Sequence, residues 1–392
     1  MKPDVRLLEH AARLYPRLVE IRRAIHQHPE LGFQEHVTAA LVADTLSSLG
    51  IPVRKGVGGT GVIGYLGSGR PVIALRADMD ALPIQERSPA PFASRVPGVM
   101  HACGHDGHTA ALLGAAMLLV HEDLPGQVRL VFQPAEETVG DDGKSGGRRL
   151  LEAGVLDDVD AAAASHLITD RPVGTVLVSP GPVLAATDSF DLTITGIACH
   201  GAYPHRGIDA IVLAAQVVNA IQSIVARRID PMEAGVITVG TIQGGRKANI
   251  IADRVELTGT LRSFEPEVRR RILDGLKESC ELARAQGGDY TLQVFQGHAA
   301  TVNDPRMVAV VQQAAAALHL VVDREKPSPV SEDFAIFTER MPGVYYLVGA
   351  GFEDGVPRPA HSSRFDFNEA ALPVAAAMHA AVALQYLAST SC

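Results

Sequence analysis

The sequence contains no tryptophan and only 5% aromatic residues, so nothing in it hints at an aromatic stacking pocket. Its four cysteines, Cys103, Cys199, Cys280 and Cys392, are widely scattered. So sparse a set excludes a disulfide framework. Positive charge is in deficit: the formal charge is −9 and the isoelectric point near 5.9. That argues against a nucleic-acid partner, which would favour a basic surface. No long block of like charge marks a disordered tail. Long apolar runs are also lacking. "AALLGAAMLLV" is too short to span a bilayer, and "AALPVAAAMHAAVALQYLA" is interrupted by Pro373, His379 and Gln385. The first segment interleaves charge with Leu7, Leu8, Ala11, Leu14, Leu18, Ile21 and Ile25, without the apolar centre of a signal peptide. These absences predict a soluble, cytoplasmic protein with no membrane partner.

What is present is an ordinary globular composition, 47% hydrophobic and 20% charged, over 392 residues. That length exceeds what one core usually organises, so two domains are expected. From Gly59 to about Ser179, short apolar runs bounded by Gly, Pro or Asp ("GVIGYLG", "PVIALRAD", "QVRLVFQP", "DAAAASHL") alternate with helical ones ("GHTAALLGAAMLLVHE", "GGRRLLEAG"). This predicts a layered α/β domain with much of its sheet parallel. Near Asp188 the pattern changes to alternating strands ("FDLTITG", "GVITVGTIQG", "RVELTGTLRS", "YTLQVFQG") around helices from about Asp209 to Arg228 and after Pro266. That β-α-β-β-α-β order predicts a ferredoxin-like α+β insert. The expected organisation is a catalytic domain over 1–186 and 300–392, interrupted by an inserted domain over 187–299.

The chemistry concentrates in "MHACGHDGH", Met100 to His108, which packs a thiol, three imidazoles and a carboxylate beside a glycine turn. Three readings are open: metal ligands, a cysteine nucleophile (Cys103 with His105), or a histidine-rich turn without chemistry. Other donors follow predicted strands, where open α/β sheets place their sites: Glu136 and Glu137 after "QVRLVFQP", and His166 at the end of "DAAAASHL". His361 lies far downstream in "PAHSSRFDF". With Cys103 and His105 they form a mixed set that zinc, manganese, cobalt and nickel all accept. An imidazole binds one ion, whereas a thiolate can bridge two. Cys103 is therefore the expected bridge, with Glu137 and His166 on one ion and His105 and His361 on the other. Glu136 is then left to act as general base. His101 and His108 flank the motif as support or packing; His10, His26, His28, His36, His121, His205, His298, His319 and His379 are taken as structural or solvated.

These segments, together with "HQHPELGFQEH", "ALRADMDALPI", "FQPAEE", "ITGIACHGAYPHRGIDA", "KANIIAD", "GTLRSF" and "SEDFA", resemble the M20 metallopeptidase family in order and nearly end to end. The likeness is to its amidohydrolase branch of hippurate hydrolases, aminoacylases and indole-acetyl-amino-acid hydrolases. The resemblance implies a zinc-peptidase-like catalytic domain whose insert is a lid and dimer contact, in a homodimer or dimer-based tetramer. It implies two divalent ions per subunit (Mn, Zn, Co or Ni) on Cys103, His105, Glu137, His166 and His361, with Glu136 as base and Asp80 behind the ligands. His200 would stabilise the oxyanion, while Asn249 and Arg262 hold the carboxylate of a small N-acyl amino acid, or of a dipeptide or peptide C-terminus in the rival reading. Three departures stand out. Asp78 occupies the place of a ligating His in other branches, "LITDRP" follows His166, and Ala252 replaces a Pro.

Overall fold

The computed structural model describes residues 4–390; Cys392 lies outside them. The chain divides into two compact units, one of residues 1–183, 302–326 and 333–392, the other of 184–301 and 327–332.

The larger unit is organised by an eight-stranded sheet. Its order is Val53–Val57, Gly61–Gly67, Gln127–Gln133, Val72–Asp78, Ala161–Pro172, Gly343–Gly351, Thr175–Leu177 and Val321–Asp323. The centre, from Gln127–Gln133 to Gly343–Gly351, is parallel, while Val53–Val57 and Gly61–Gly67 are antiparallel. The sheet is thus mixed, and on its other side Thr175–Leu177 pairs antiparallel with Gly343–Gly351 and parallel with Val321–Asp323. Central strands are buried on both faces, so they are continuously apolar: Ile73, Ala74 and Leu75 are wholly inaccessible.

Helices His105–Leu119 and Ala371–Thr390 carry small residues where they meet. A Cβ on Gly114 would come within 2.8 Å of Ala376 Cβ and Leu18 Cδ2, so glycine sets how closely the elements pack. The second helix is long and apolar enough to cross a membrane, yet 89% of its apolar window is buried inside this unit. It is a core helix, apolar all round for that reason. Its one imidazole, His379, faces Ser165 Oγ at 2.9 Å, and burial pulls it down to about 3, so it stays neutral.

Register places the functional positions. Asp78 pairs with Gln133, and Arg76 with Ala164, which sets His166 level with Asp78 and Gln133, the last residues of their strands. His166 was expected to end its strand. Instead the strand continues to Pro172, with His166 paired to Leu347.

The smaller unit has a four-stranded antiparallel sheet in the order Gly235–Gly244, Arg254–Ser263, Ala186–Thr195, Asp289–Gln296. Helices Ala210–Arg228 and Pro266–Ala285 pack on it around Phe190, Leu192, Ile194, Val217, Ile221 and Leu276. Burial alternates along Arg254–Ser263, one face covered and the other open. Asp209 caps the first helix through its carboxylate.

Candidate metal centre

The glycine turn of the cysteine motif starts the chemistry. Gly104 adopts φ 98° immediately before helix His105–Leu119, a conformation open to glycine at little steric cost. Cys103 and His105 therefore leave the turn on either side of it. Cys103 Sγ lies 3.4 Å from His166 Nε2. His166 Nδ1 donates to the Leu167 carbonyl at 2.8 Å, so its Nε2 lone pair is the one turned to the sulfur. His105 Nδ1 faces the Asp80 carbonyl at 2.9 Å and Asp80 Oδ1 at 3.2 Å. Both are acceptors, so the proton sits on Nδ1 and Nε2 is left for a ligand role.

Asp80 ties a second segment to the first. Its Oδ2 accepts the Glu137 backbone N–H at 3.0 Å. Glu137 Oε1 stands 3.0 Å from His361 Nε2, is buried, and makes no hydrogen bond among the described residues. His361 holds φ 61° through its N–H on the Ala102 carbonyl at 2.7 Å. A non-glycine residue in that region stores about 1–3 kcal/mol of strain, which persists only where surroundings impose it.

The potential ligand atoms form groups that lie within 4.8 Å of one another: Cys103, His105 and His166; Cys103, Glu137 and His361; and His105, Glu136 and Glu137. Cys103 is common to the first two. These groups set His166 with His105 and His361 with Glu137, where the sequence reading had His166 with Glu137 and His361 with His105. The physical reason is local: His166 lies against the cysteine sulfur, while His361 is set opposite Glu137.

This donor set fits divalent metal ions. It presents imidazole lone pairs inward, an orphaned buried carboxylate oxygen, and a thiol. Its field also favours a cation. Burial alone would lower His105, but Asp78 and Cys103 override it and hold the imidazole well above its usual value. Burial pushes the Cys103 thiol up to about 12, against the influence of His105. A nucleophilic cysteine needs the opposite shift, and a bound cation would draw the thiolate out.

A further group, Asp78, His105 and His108, is also close-set, but His108 has no lone pair to give. Its Nδ1 donates to Asp78 Oδ1 at 2.7 Å and its Nε2 accepts the Leu167 N–H at 3.0 Å. It packs on His166 with ring centroids 4.5 Å apart. Asp78 Oδ2 is held by Arg76 at 2.6 Å. Burial would raise Asp78, but His105, Arg76 and His108 hold it well below the usual carboxylate range. Asp78 thus anchors the support of His166.

His101 is buried with neither ring nitrogen hydrogen-bonded among the described residues, and burial pulls it down to about 4. Sequence reasoning also missed Asp106. This buried carboxylate takes Arg22 Nε and His26 Nδ1, each at 2.8 Å, and so fixes the first turn of the helix bearing His105.

The other expected residues lie in the smaller unit. His200 is exposed on a two-residue strand paired with Ile250 and Ile251. Its Nδ1 accepts the Ala202 N–H at 3.0 Å, which leaves Nε2 as the protonated donor. Asn249 is a neighbour, its carbonyl accepting the Gly201 N–H at 2.8 Å. Arg262 is partly buried and reaches across to Thr187 Oγ1 on the adjacent strand, the contact of a cross-strand residue.

Comparison with known proteins matches this architecture. Residues 74–385 fit the model of peptidase family M20/M25/M40. A thermostable carboxypeptidase 2 of Saccharolobus solfataricus is 41% identical, with 94% of this chain and 95% of that protein aligned. An N-acetylcysteine deacetylase of Bacillus subtilis is 39% identical, over 94% of this chain and 97% of that protein. The solved structure of a Bacillus subtilis dinuclear metal-binding peptidase of family M20 superposes with a TM-score of 0.84 at 36% identity, covering 96% of this chain and 99% of that one. By fold, donor set and sequence, the chain belongs to the M20 family of metal-dependent hydrolases, within its amidohydrolase branch.

Proposed function

We propose that this protein hydrolyses the amide bond of N-acyl amino acids of the N-acetyl or N-aroyl type, giving a carboxylic acid and a free amino acid. The observation that carries the reading is Cys103, shared between two groups of ligand atoms with Glu136 beside them. His105 and His166 would hold one divalent ion, Glu137 and His361 a second, with Cys103 common to both; manganese, zinc, cobalt and nickel all suit this set. Such ions supply positive charge to a substrate carbonyl and make bound water acidic near neutral pH.

The chain's own residues do the rest. Glu136 takes the proton of the attacking water and passes it to the leaving nitrogen. Asp80 orients His105 through Nδ1 and holds the Glu137 backbone. His200, with Nε2 as its donor, stabilises the oxyanion, and we assign it to the site of a neighbouring subunit in a homodimer or a tetramer built from dimers. Asn249 and Arg262 hold the substrate carboxylate, an Arg fork being suited to that group. The cytoplasm, where an unpaired thiol stays reduced, is the compartment we infer.

The carboxypeptidase named among the relatives supports a second reading, in which the same centre cleaves a dipeptide or a peptide C-terminus. A panel of N-acetyl and N-benzoyl amino acids against dipeptides, each with Mn, Zn, Co or Ni, separates the two. Our reading expects the acyl amino acids to give the higher kcat/KM. Preferential cleavage of dipeptides would overturn it.

A further inference from the structure

The motif "GFQEH" carries a carboxylate with no role in the chemistry above. Glu35 is wholly buried and reaches across 100 positions of sequence to the loop bearing Glu136. Its Oε1 accepts the Ala135 backbone N–H at 2.8 Å, and its Oε2 accepts the Thr60 hydroxyl.

The grip falls at a strained point. Ala135, directly before Glu136, sits at φ 44°, where a side chain is disfavoured and glycine is the usual occupant. The Ala135 carbonyl accepts the Gly146 N–H at 2.9 Å. The Glu137 N–H is held by Asp80 at 3.0 Å. These two bonds fix the peptide planes on either side of Glu136. Glu35 fixes the plane before Ala135, and so holds the strained residue itself. Packing closes around it, since a Cβ on Gly32 would lie 2.4 Å from Thr138 Cγ2 and 3.0 Å from Ala135 Cβ.

We propose that Glu35, anchored by Thr60, is a positioning residue that aims Glu136 by holding Ala135 in its left-handed conformation. The proposal rests on Glu136 being the general base. It separates the two neighbouring glutamates: Glu137 has its own tether in Asp80, so loss of Glu35 disturbs proton transfer and leaves the metal ligand in place.

Substitution chemistry makes this testable. Glu35→Gln keeps an acceptor for the Ala135 N–H, and its amide can donate to the Thr60 hydroxyl, which accepts as readily as it donates. Glu35→Ala removes both. Kinetics would be measured with the best-turned-over N-acyl amino acid of the panel, alongside elemental metal analysis. We expect Glu35→Ala to lower kcat by about 10²-fold, the scale of a small misplacement of a reacting group, with KM and metal content unchanged. Glu35→Gln should stay within ~3-fold of wild type, since both hydrogen bonds are retained. In a Glu136→Gln background, Glu35→Ala should add no further loss, because residues acting as one unit are not additive.

An unimpaired kcat in Glu35→Ala overturns the proposal. So does an equal loss in Glu35→Gln, a matching loss of metal, or the full loss repeated in the Glu136→Gln background. Should Glu35→Ala not fold, Thr60→Val loosens the same anchor and should lower kcat ~10-fold at constant KM; an unchanged kcat there contradicts us equally. If Glu136→Gln alone retains wild-type turnover, the base assignment fails and this proposal falls with it. If Glu136→Gln is inactive while Glu35→Ala is not impaired, only the positioning role is wrong.

Discussion

Glu136 and Glu137 are adjacent and identical in type, yet their surroundings point them to different work. Glu137 has its backbone on Asp80 and a carboxylate oxygen facing His361; Glu136 lies with it against His105. Glu136→Gln should keep its metals and lose roughly 10²–10⁴ in kcat, the usual contribution of a general base. Glu137→Gln should instead release metal, as elemental analysis would show. An exchange of these behaviours would reverse the assignment. At this scale the sequence singled out donors that the structure brings together, because a thiol, imidazoles and paired carboxylates beside strands are rare outside a metal site. It was uninformative about which donors lie together, since that depends on the register setting His166 beside Cys103. Glu35 was equally hidden: its partner is the N–H of Ala135, and a backbone contact has no residue-type signature.

At the scale of elements, the strands that run through the core were legible because full burial makes them apolar along their length. Thr175–Leu177 and Val321–Asp323, the last two strands of the sheet, were not, being three residues each and too short to show a period. Just beyond the latter lies Glu325, 6% exposed, with neither carboxylate oxygen hydrogen-bonded among the described residues. Burial pushes it up to about 8 from its ordinary 4.5. Between those values the folded protein keeps a proton that the unfolded chain has released. Stability from this group therefore falls as pH rises from about 4.5 to 8 and stays low above it. Glu325→Gln, which cannot ionise, should stabilise the protein at pH 8.5 by about 1–3 kcal/mol, the scale of an uncompensated buried polar group, and much less at pH 5. Thermal melts at the two pH values measure this; an equal effect at both would mean that Glu325 is not buried as a charge.

For the whole molecule, the shift from continuous apolar strands to alternating ones pointed to an insert, and the smaller unit, residues 184–301 with 327–332, starts near that shift. Alternation reports an open sheet face, and Arg254–Ser263 shows it. What alternation leaves unsaid is the partner of that insert. The proposed role of His200 across a subunit interface makes a definite forecast. His200→Ala and Glu136→Gln, each inactive alone, should recover activity when mixed under conditions of subunit exchange. About half of the dimers would be mixed, each with one intact site of two, so roughly a quarter of wild-type activity should return. No recovery despite confirmed exchange would place His200 within its own chain's site or outside the chemistry. The assignment of the metal ligands depends on the shared cysteine, and metal stoichiometry tests it most directly. Elemental analysis of wild-type protein and Cys103→Ala, loaded with manganese or zinc and freed of excess, should find about two ions per chain in the first and at least one fewer in the second. A full complement in Cys103→Ala would contradict the account.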